Sequence, residues 1–197
     1  MSNSTNFSRE ELHAMGFAEL GENVMVDRSV RFFGAARIHL GSQIRIDAYS
    51  VLSAGSEGLR LGSRVHLAVG VRFLGGEKVT VEDFCGLSSG VCVFGSNDDY
   101  SGGALTNPTV PEAFRDVASG PVLFRKHAIV GANSVVMPNV TLGVAASVGA
   151  LTFVNKSVPD FAIVNGNPMR KIGTRDTTIL EREKEFLEHQ DGRKEQR

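Results

Sequence analysis

The chain has 197 residues and a mass of 21.1 kDa, which is room for one domain with short terminal extensions. With 21 Lys+Arg against 22 Asp+Glu, the formal charge is -1 and the pI about 6.5, so no bulk electrostatic pull draws it to nucleic acid or an anionic membrane. Hydrophobic residues at 42%, 22 Gly, abundant Val and no Trp favour strands and tight turns, and no stretch approaches the ~20 apolar residues of a membrane span.

Met1 to Glu10 is polar and lacks the basic start and apolar run of a secretion signal, so a cytoplasmic location is expected. Ser8-Arg9-Glu10-Glu11 reads as a capping box opening a short helix through Met15, within an N-terminal segment 1–19. From Leu20 an internal repeat takes over. Aliphatic or Phe residues recur every sixth position at Leu20, Val26, Phe32 and Ile38, then at Leu40, Ile46 and Leu52. The series continues at Leu61, Leu67, Phe73 and Val79, and at Val81, Leu87 and Val93. Its longest run is Phe124, Val130, Val136, Leu142, Val148 and Val154. A compact or acidic residue often comes next, as in Leu61-Gly62 and Val148-Gly149, and small or β-branched residues tend to come four positions on.

A period of six fits neither a helix nor a hairpin meander. It places one inward apolar residue on each short strand and a turn every six residues, so three strands close a triangular coil of about eighteen residues. Stacked coils pair as parallel strands about 4.8 Å apart around an aliphatic column. The expected fold is therefore all-β, a parallel β-helix. Corners call for compact residues and some positive φ, which accounts for Gly, Asn and Asp. The two-residue jumps from Ile38 to Leu40 and from Val79 to Val81 read as corner insertions. Cys85 and Cys92, each in a Val-rich segment, read as small buried residues in a reducing compartment.

Residues 95–121 are polar, carry Pro108, Pro111 and Pro121, and lack the period, so they leave the coil as an external loop, a favoured place for function. The repeat then resumes through the β-helical domain, 20–172. Within the C-terminal segment 173–197, residues 176–190 place Ile179, Leu180, Phe186 and Leu187 on one helical face expected to cover the last coil. Asp191 to Arg197 is charged and expected to fray.

Three segments are more specific than the hexapeptides. These are Ile129-Val-Gly-Ala-Asn-Ser-Val-Val-Met-Pro-Asn-Val-Thr-Leu-Gly143, Val154-Asn-Lys-Ser-Val-Pro159 and Gly166-Asn-Pro-Met-Arg-Lys-Ile172. In that order, after an external loop, they resemble the left-handed β-helix acyltransferases. The resemblance is nearest to the branch with galactoside, maltose and Nod-factor acetyltransferases and the xenobiotic acetyltransferases. It implies a left-handed coil, a homotrimer with active sites in the clefts between subunits, and acetyl-CoA as co-substrate, with no metal. It also implies an acceptor hydroxyl or amine on a sugar, free, nucleotide-linked or part of a polysaccharide precursor. By motif position, Ala132 and Ala150 match main-chain contacts to the pantetheine arm, Asn155 and Lys156 the pair near the nucleotide, and Arg170 the basic residue of the closing motif. Lys171, beside Arg170, is a weaker candidate.

The family's catalytic His is missing from the strand-to-loop junction, Val93-Phe-Gly-Ser-Asn-Asp-Asp-Tyr-Ser-Gly102, where Asp98 takes its place with Asp99 and Tyr100 alongside. Three routes stay open. Asp98 or Asp99 acts as base; His66, or less well His127, reaches the cleft; or an amine acceptor reduces the need for a base. The β-helical carbonic anhydrases share the fold but need three metal-binding His, for which His66 and His127 are poorly spaced. A non-sugar acceptor such as an antibiotic, and a catalytically inactive scaffold or binding protein, are the alternatives.

Overall fold

A computed structural model describes residues 5–194. Its organising feature is a coil of three short strands, repeated about seven times as a left-handed parallel β-helix. The first face stacks Glu19–Leu20, Ile38–Leu40, Leu59–Leu61, Val79–Val81, Val122–Phe124 and Thr141–Leu142. The second stacks Met25–Val26, Arg45–Ile46, His66–Leu67, Gly86–Leu87, Ile129–Val130, Ser147–Val148 and Ala162–Asn165. The third stacks Arg31–Phe33, Val51–Ser53, Arg72–Gly76, Cys92–Asp98, Val135–Val136 and Phe153–Val154.

Register carries the sixfold pattern into space. Ile46 pairs with Leu67, Leu67 with Leu87, Leu87 with Val130 and Val130 with Val148, so one buried residue sits above the next. The small residues four positions on line the inside of the corners. Val71 and Val91 are apolar there, and the buried hydroxyls of Ser50, Ser134 and Thr152 bond neighbouring carbonyls. A buried hydroxyl without such a partner would cost about 1–3 kcal/mol.

Two expectations are corrected. The jumps at Ile38/Leu40 and Val79/Val81 are not corner insertions. Each pair lies on one first-face strand, both residues inward, with His39 or Thr80 pointing out between them. The first face is thus wider, and paired positions there are twenty or twenty-one residues apart (Leu20 with Leu40, Leu40 with Leu61) until the last coils shorten to eighteen (Phe124 with Leu142). Nor are corners confined to compact residues. Gln43, Tyr49, Arg64, Phe84, His127 and Leu151 all take positive φ at corner positions, a conformation that costs a non-glycine residue of order 1–3 kcal/mol and that the surrounding ladder holds in place. Side chains at these positions project from the corners, so bulk is tolerated.

The ends are closed differently. Helix α1 (Arg9–Ala14) is capped by Ser8, whose hydroxyl accepts from the Glu11 amide while the Glu11 carboxylate accepts from the Ser8 amide. It presses Leu12 under the first coil with Phe7, Phe17 and Phe32, the last two edge to face at 4.9 Å. At the other end, Arg170–Thr174 turns back antiparallel on Ala162–Asn165. That reversal sends helix α2 (Thr178–Lys194) along a side of the solenoid, where Phe186 meets Phe84 and Arg64 on earlier coils, so the helix does not cover the last coil. It also stays helical past Asp191, where fraying was expected; residues 1–4 and 195–197 lie outside the described residues.

The column predicts its own test. Leu67→Ala, at the centre of the buried stack, should cost about 2–5 kcal/mol in a urea unfolding midpoint converted to free energy, because neighbouring coils cannot collapse into the gap. A loss under ~1 kcal/mol would mean that the coils relax independently.

Candidate active site

The excursion out of the repeat is rooted in the third face. Its fourth-coil strand runs past the corner to Asp98, and the returning Val117–Ser119 pairs antiparallel with Ser96 to Asp98. Residues 95–121 therefore stand on a two-stranded ribbon. Beyond it, the Asp99 carboxylate accepts from the amides of Ser101, Gly103 and Ala104 at 2.7, 2.7 and 3.0 Å, organising the first turn of the loop. Hydrogen bonds from Ser101, with those amides, hold the carboxyl down at about 2, although the residue is solvent-accessible. A carboxylate occupied and acidified in this way is a poor base.

Asp98, of the same intermediate exposure as Asp99, differs in its partners. It is half-buried at the ribbon's base, and among the described residues its carboxylate has no hydrogen-bond or ion-pair partner. Ser88 has a similarly uncommitted hydroxyl. It occupies the corner between the second and third faces of the same coil, directly after the buried Leu87. Sequence reading passed over Ser88 because a small polar residue at a corner is what the repeat asks for.

The histidine candidates are placed elsewhere. His66 projects from the second face one coil below, half-exposed, with Nε2 2.8 Å from Asp47 Oδ2; the other Asp47 oxygen accepts from Arg45 Nε at 2.7 Å. Partial burial alone would raise the Asp47 carboxyl, but the bonds from His66 and Arg45 outweigh it and leave it below the usual range. Nothing joins His66 to Asp98 within one protomer among the described residues. His127 is buried at a corner, stacked on Phe84 at 5.0 Å between ring centres, with Nε2 2.8 Å from Glu183 on α2. Lys126 pairs with the same carboxylate, and Arg175 donates to the His127 carbonyl at 2.9 Å. His127 therefore anchors the C-terminal helix and lines only the open pocket beside that helix, with Phe84, Arg64 and Phe186, away from Asp98.

The expected cofactor residues form a path. Ala132 and Ala150 stack on consecutive coils at the Ser88 corner, the Leu151 amide donating to the Ala132 carbonyl at 2.9 Å. The amides of Ala132 and Ala150 have no hydrogen-bond partner among the described residues, so this corner offers donors to an extended ligand. Gly131 makes the stacking possible, since a Cβ there would fall on the Ala150 backbone. Asn155 and Lys156 lie one corner further round, directly after Phe153–Val154, and Arg170 and Lys171 open the returning strand near the top of the second face. Lys156 and Arg170 are exposed and make no ion pair among the described residues, which leaves both charges available to an anion. Among the described residues no group of three His, Cys, Asp or Glu side chains is placed to hold a metal ion, and no helix is long and apolar enough to cross a membrane.

Comparison with known proteins places this geometry. The chain is 38% identical over 176 residues to the dTDP-4-amino-4,6-dideoxy-D-glucose acyltransferase of Escherichia coli, covering 89% of this chain and 92% of that one. It superposes on AntD, an N-acyltransferase from Bacillus cereus solved with dTDP and coenzyme A, with a TM-score of 0.91, 36% identity and coverage of 95% and 99%. Structures of AntD also include a complex with 3-hydroxybutyryl-CoA and variants at a serine and at an aspartate ten positions apart. A maltose O-acetyltransferase from Clostridium difficile shares the fold alone, at TM-score 0.56 and 17% identity over 88% and 80%. No protein-family model matches the chain.

The Asp99 anchor is open to a direct check. Replacing Asp99 with Ala should speed hydrogen exchange at the Ser101, Gly103 and Ala104 amides and leave the coils protected. Its pH dependence comes from the depressed carboxyl. The anchor is intact above the unfolded-state value of about 4 and is lost as pH falls toward 2.

Proposed function

Because the chain belongs to the left-handed β-helix acyltransferases, we propose that it transfers an acyl group from acyl-CoA to the amino group of a nucleotide-linked amino sugar. The observation that carries the reading is the pair of uncommitted polar groups on the fourth coil, Ser88 and Asp98. Their ten-residue separation equals that of the serine and aspartate varied in AntD. Ser89 and Asp99 have the same separation, but Asp99 is occupied by its own loop.

An amine acceptor also explains the missing histidine. A neutral amine attacks a thioester without prior deprotonation, whereas a hydroxyl needs a base. The Asp98 carboxylate then accepts a hydrogen bond from the attacking nitrogen, orients its lone pair and receives the proton released as the C–N bond forms. The C–S bond breaks, and the departing thiolate is protonated to the free thiol. Backbone donors such as the Ala132 and Ala150 amides hold the pantetheine arm. Lys156 and Arg170 meet the nucleotide phosphates, and Asn155 lies beside them. His66, paired with Asp47 on a different face, takes part only if a neighbouring subunit brings that face to the cleft. The homotrimer that the resemblance implies would do so, and the exposed Tyr49 and Leu151, at 72% and 70%, are suitable contacts for it. Acetyl-CoA is the smallest donor in this scheme, and a cytoplasmic enzyme would meet both substrates.

Thiol release from acyl-CoA with dTDP-4-amino-4,6-dideoxyglucose as acceptor tests the reaction. Asp98→Asn should lower kcat by ~10²-fold or more, against less than tenfold for His66→Ala; the reverse order would transfer the role to His66. Lys156→Ala combined with Arg170→Ala should raise the KM for acyl-CoA at least tenfold with little change in kcat, and an unchanged KM would remove both residues from the cofactor path.

A further inference from the structure

The outer surface of the third face is mixed below the loop and apolar above it. In the fourth to sixth coils its outward positions are Phe94, Val135, Met137 and Phe153, an apolar shelf where earlier coils mix Arg31, Ser53 and Arg72 with Phe33, Val51 and Leu74. Asn97 and Tyr100, the residues flanking Asp98 and Asp99, line with this shelf a half-open cavity of about 360 Å³. Its floor and walls are hydrocarbon and its rim carries one amide and one phenol. The Tyr100 side chain makes no hydrogen bond among the described residues.

Two neighbours give the cavity its meaning. Val135 and Phe153 lie three residues after Ala132 and Ala150, so the shelf borders the corner whose free amides are assigned to the pantetheine arm. Its opposite edge is Asn97, adjacent in the chain to Asp98. A thioester lying between that corner and the Asp98 carboxylate has the shelf as its apolar neighbour. The methyl of an acetyl group would leave most of such a cavity unfilled, and unfilled apolar surface forfeits the binding that each further methylene would bring.

We propose that this cavity is the acyl-chain subsite, and that it selects a donor longer than acetyl, a short chain of about four carbons. Resting on the proposed acyl-CoA reaction, the inference adds the identity of the transferred group to it. Asn97 and Tyr100 at the rim can bond a hydroxyl on the chain, so a hydroxyacyl donor is accepted as readily as an unsubstituted one. Met137, flexible and unbranched, is the lining side chain whose replacement most directly changes the room in the cavity.

The experiment compares acetyl-CoA with butyryl-CoA on the full chain, using dTDP-4-amino-4,6-dideoxyglucose as acceptor, for the wild type and for Met137→Phe. Wild type should favour butyryl-CoA in kcat/KM by about tenfold, the worth of two buried methylenes, and Met137→Phe should bring that ratio to one or below. A wild-type preference for acetyl-CoA, or a variant that slows both donors equally, would overturn the subsite. Light scattering on the same samples separates another occupant: if Met137→Phe dissociates subunits and leaves the donor ratio unchanged, the shelf is a contact between copies of the chain and the inference is wrong. Should no donor react, the proposed reaction itself fails. Calorimetric titration with the two acyl-CoAs then still decides the cavity, with equal dissociation constants counting against it.

Discussion

Everything in this protein rests on the parallel ladder between successive coils. A single coil of three short strands has no core of its own, since it holds one or two inward side chains per strand. Stacking places Leu67 between Ile46 and Leu87 and removes all three from water, while the strand amides and carbonyls pair above and below. Each such side chain contributes roughly 1.5–3 kcal/mol, and only when its neighbours are in place. The ladder also supports what would otherwise be unfavourable, such as Arg64, Phe84 and His127 in the left-handed region at successive corners.

That regularity is what lets one departure from it become a site. The third-face strand of the fourth coil does not turn at its corner but continues to Asp98, and the returning ribbon fixes the departing chain. The half-buried Asp98 carboxylate has no partner among the described residues and is left open to a ligand. The adjacent Asp99 shows the alternative outcome, a carboxylate held in its charged form by three backbone amides and the Ser101 hydroxyl, its pKa lowered to about 2. Neighbouring residues of one type thus differ, one organising the loop and the other left, among the described residues, without a partner for the proposed chemistry.

The fold also separates tasks among its corners. One carries Ser88, Ala132 and Ala150, small side chains beside two alanine amides that have no partner among the described residues and suit a close extended ligand. Another carries Arg64, Phe84 and His127 and receives the C-terminal helix through Glu183, whose carboxyl burial would raise but which Lys126 and His127 hold down. A lone six-residue pattern does not distinguish these corners. Their difference is set by the C-terminal end of the chain, where the reversal at Arg170–Thr174 directs α2 to one corner and leaves the other open.

The sequence by itself determined the solenoid, because a period of six in inward residues has one geometric solution, and it located the excursion, because the period stops there. It also singled out Asp98 as the residue standing where a histidine was expected. Three things were decided only in three dimensions. The pairs Ile38/Leu40 and Val79/Val81 share a strand, which depends on register with the coils above and below and not on local spacing. His66 and His127 are drawn into pairs with Asp47 and Glu183, partners nineteen and fifty-six residues away in the chain. Among the described residues the Asp98 and Ser88 side chains stay free while Asp99 does not, because hydrogen-bond partners are assigned by the folded backbone, and a string of side-chain types carries no record of which carboxylate the amides will reach.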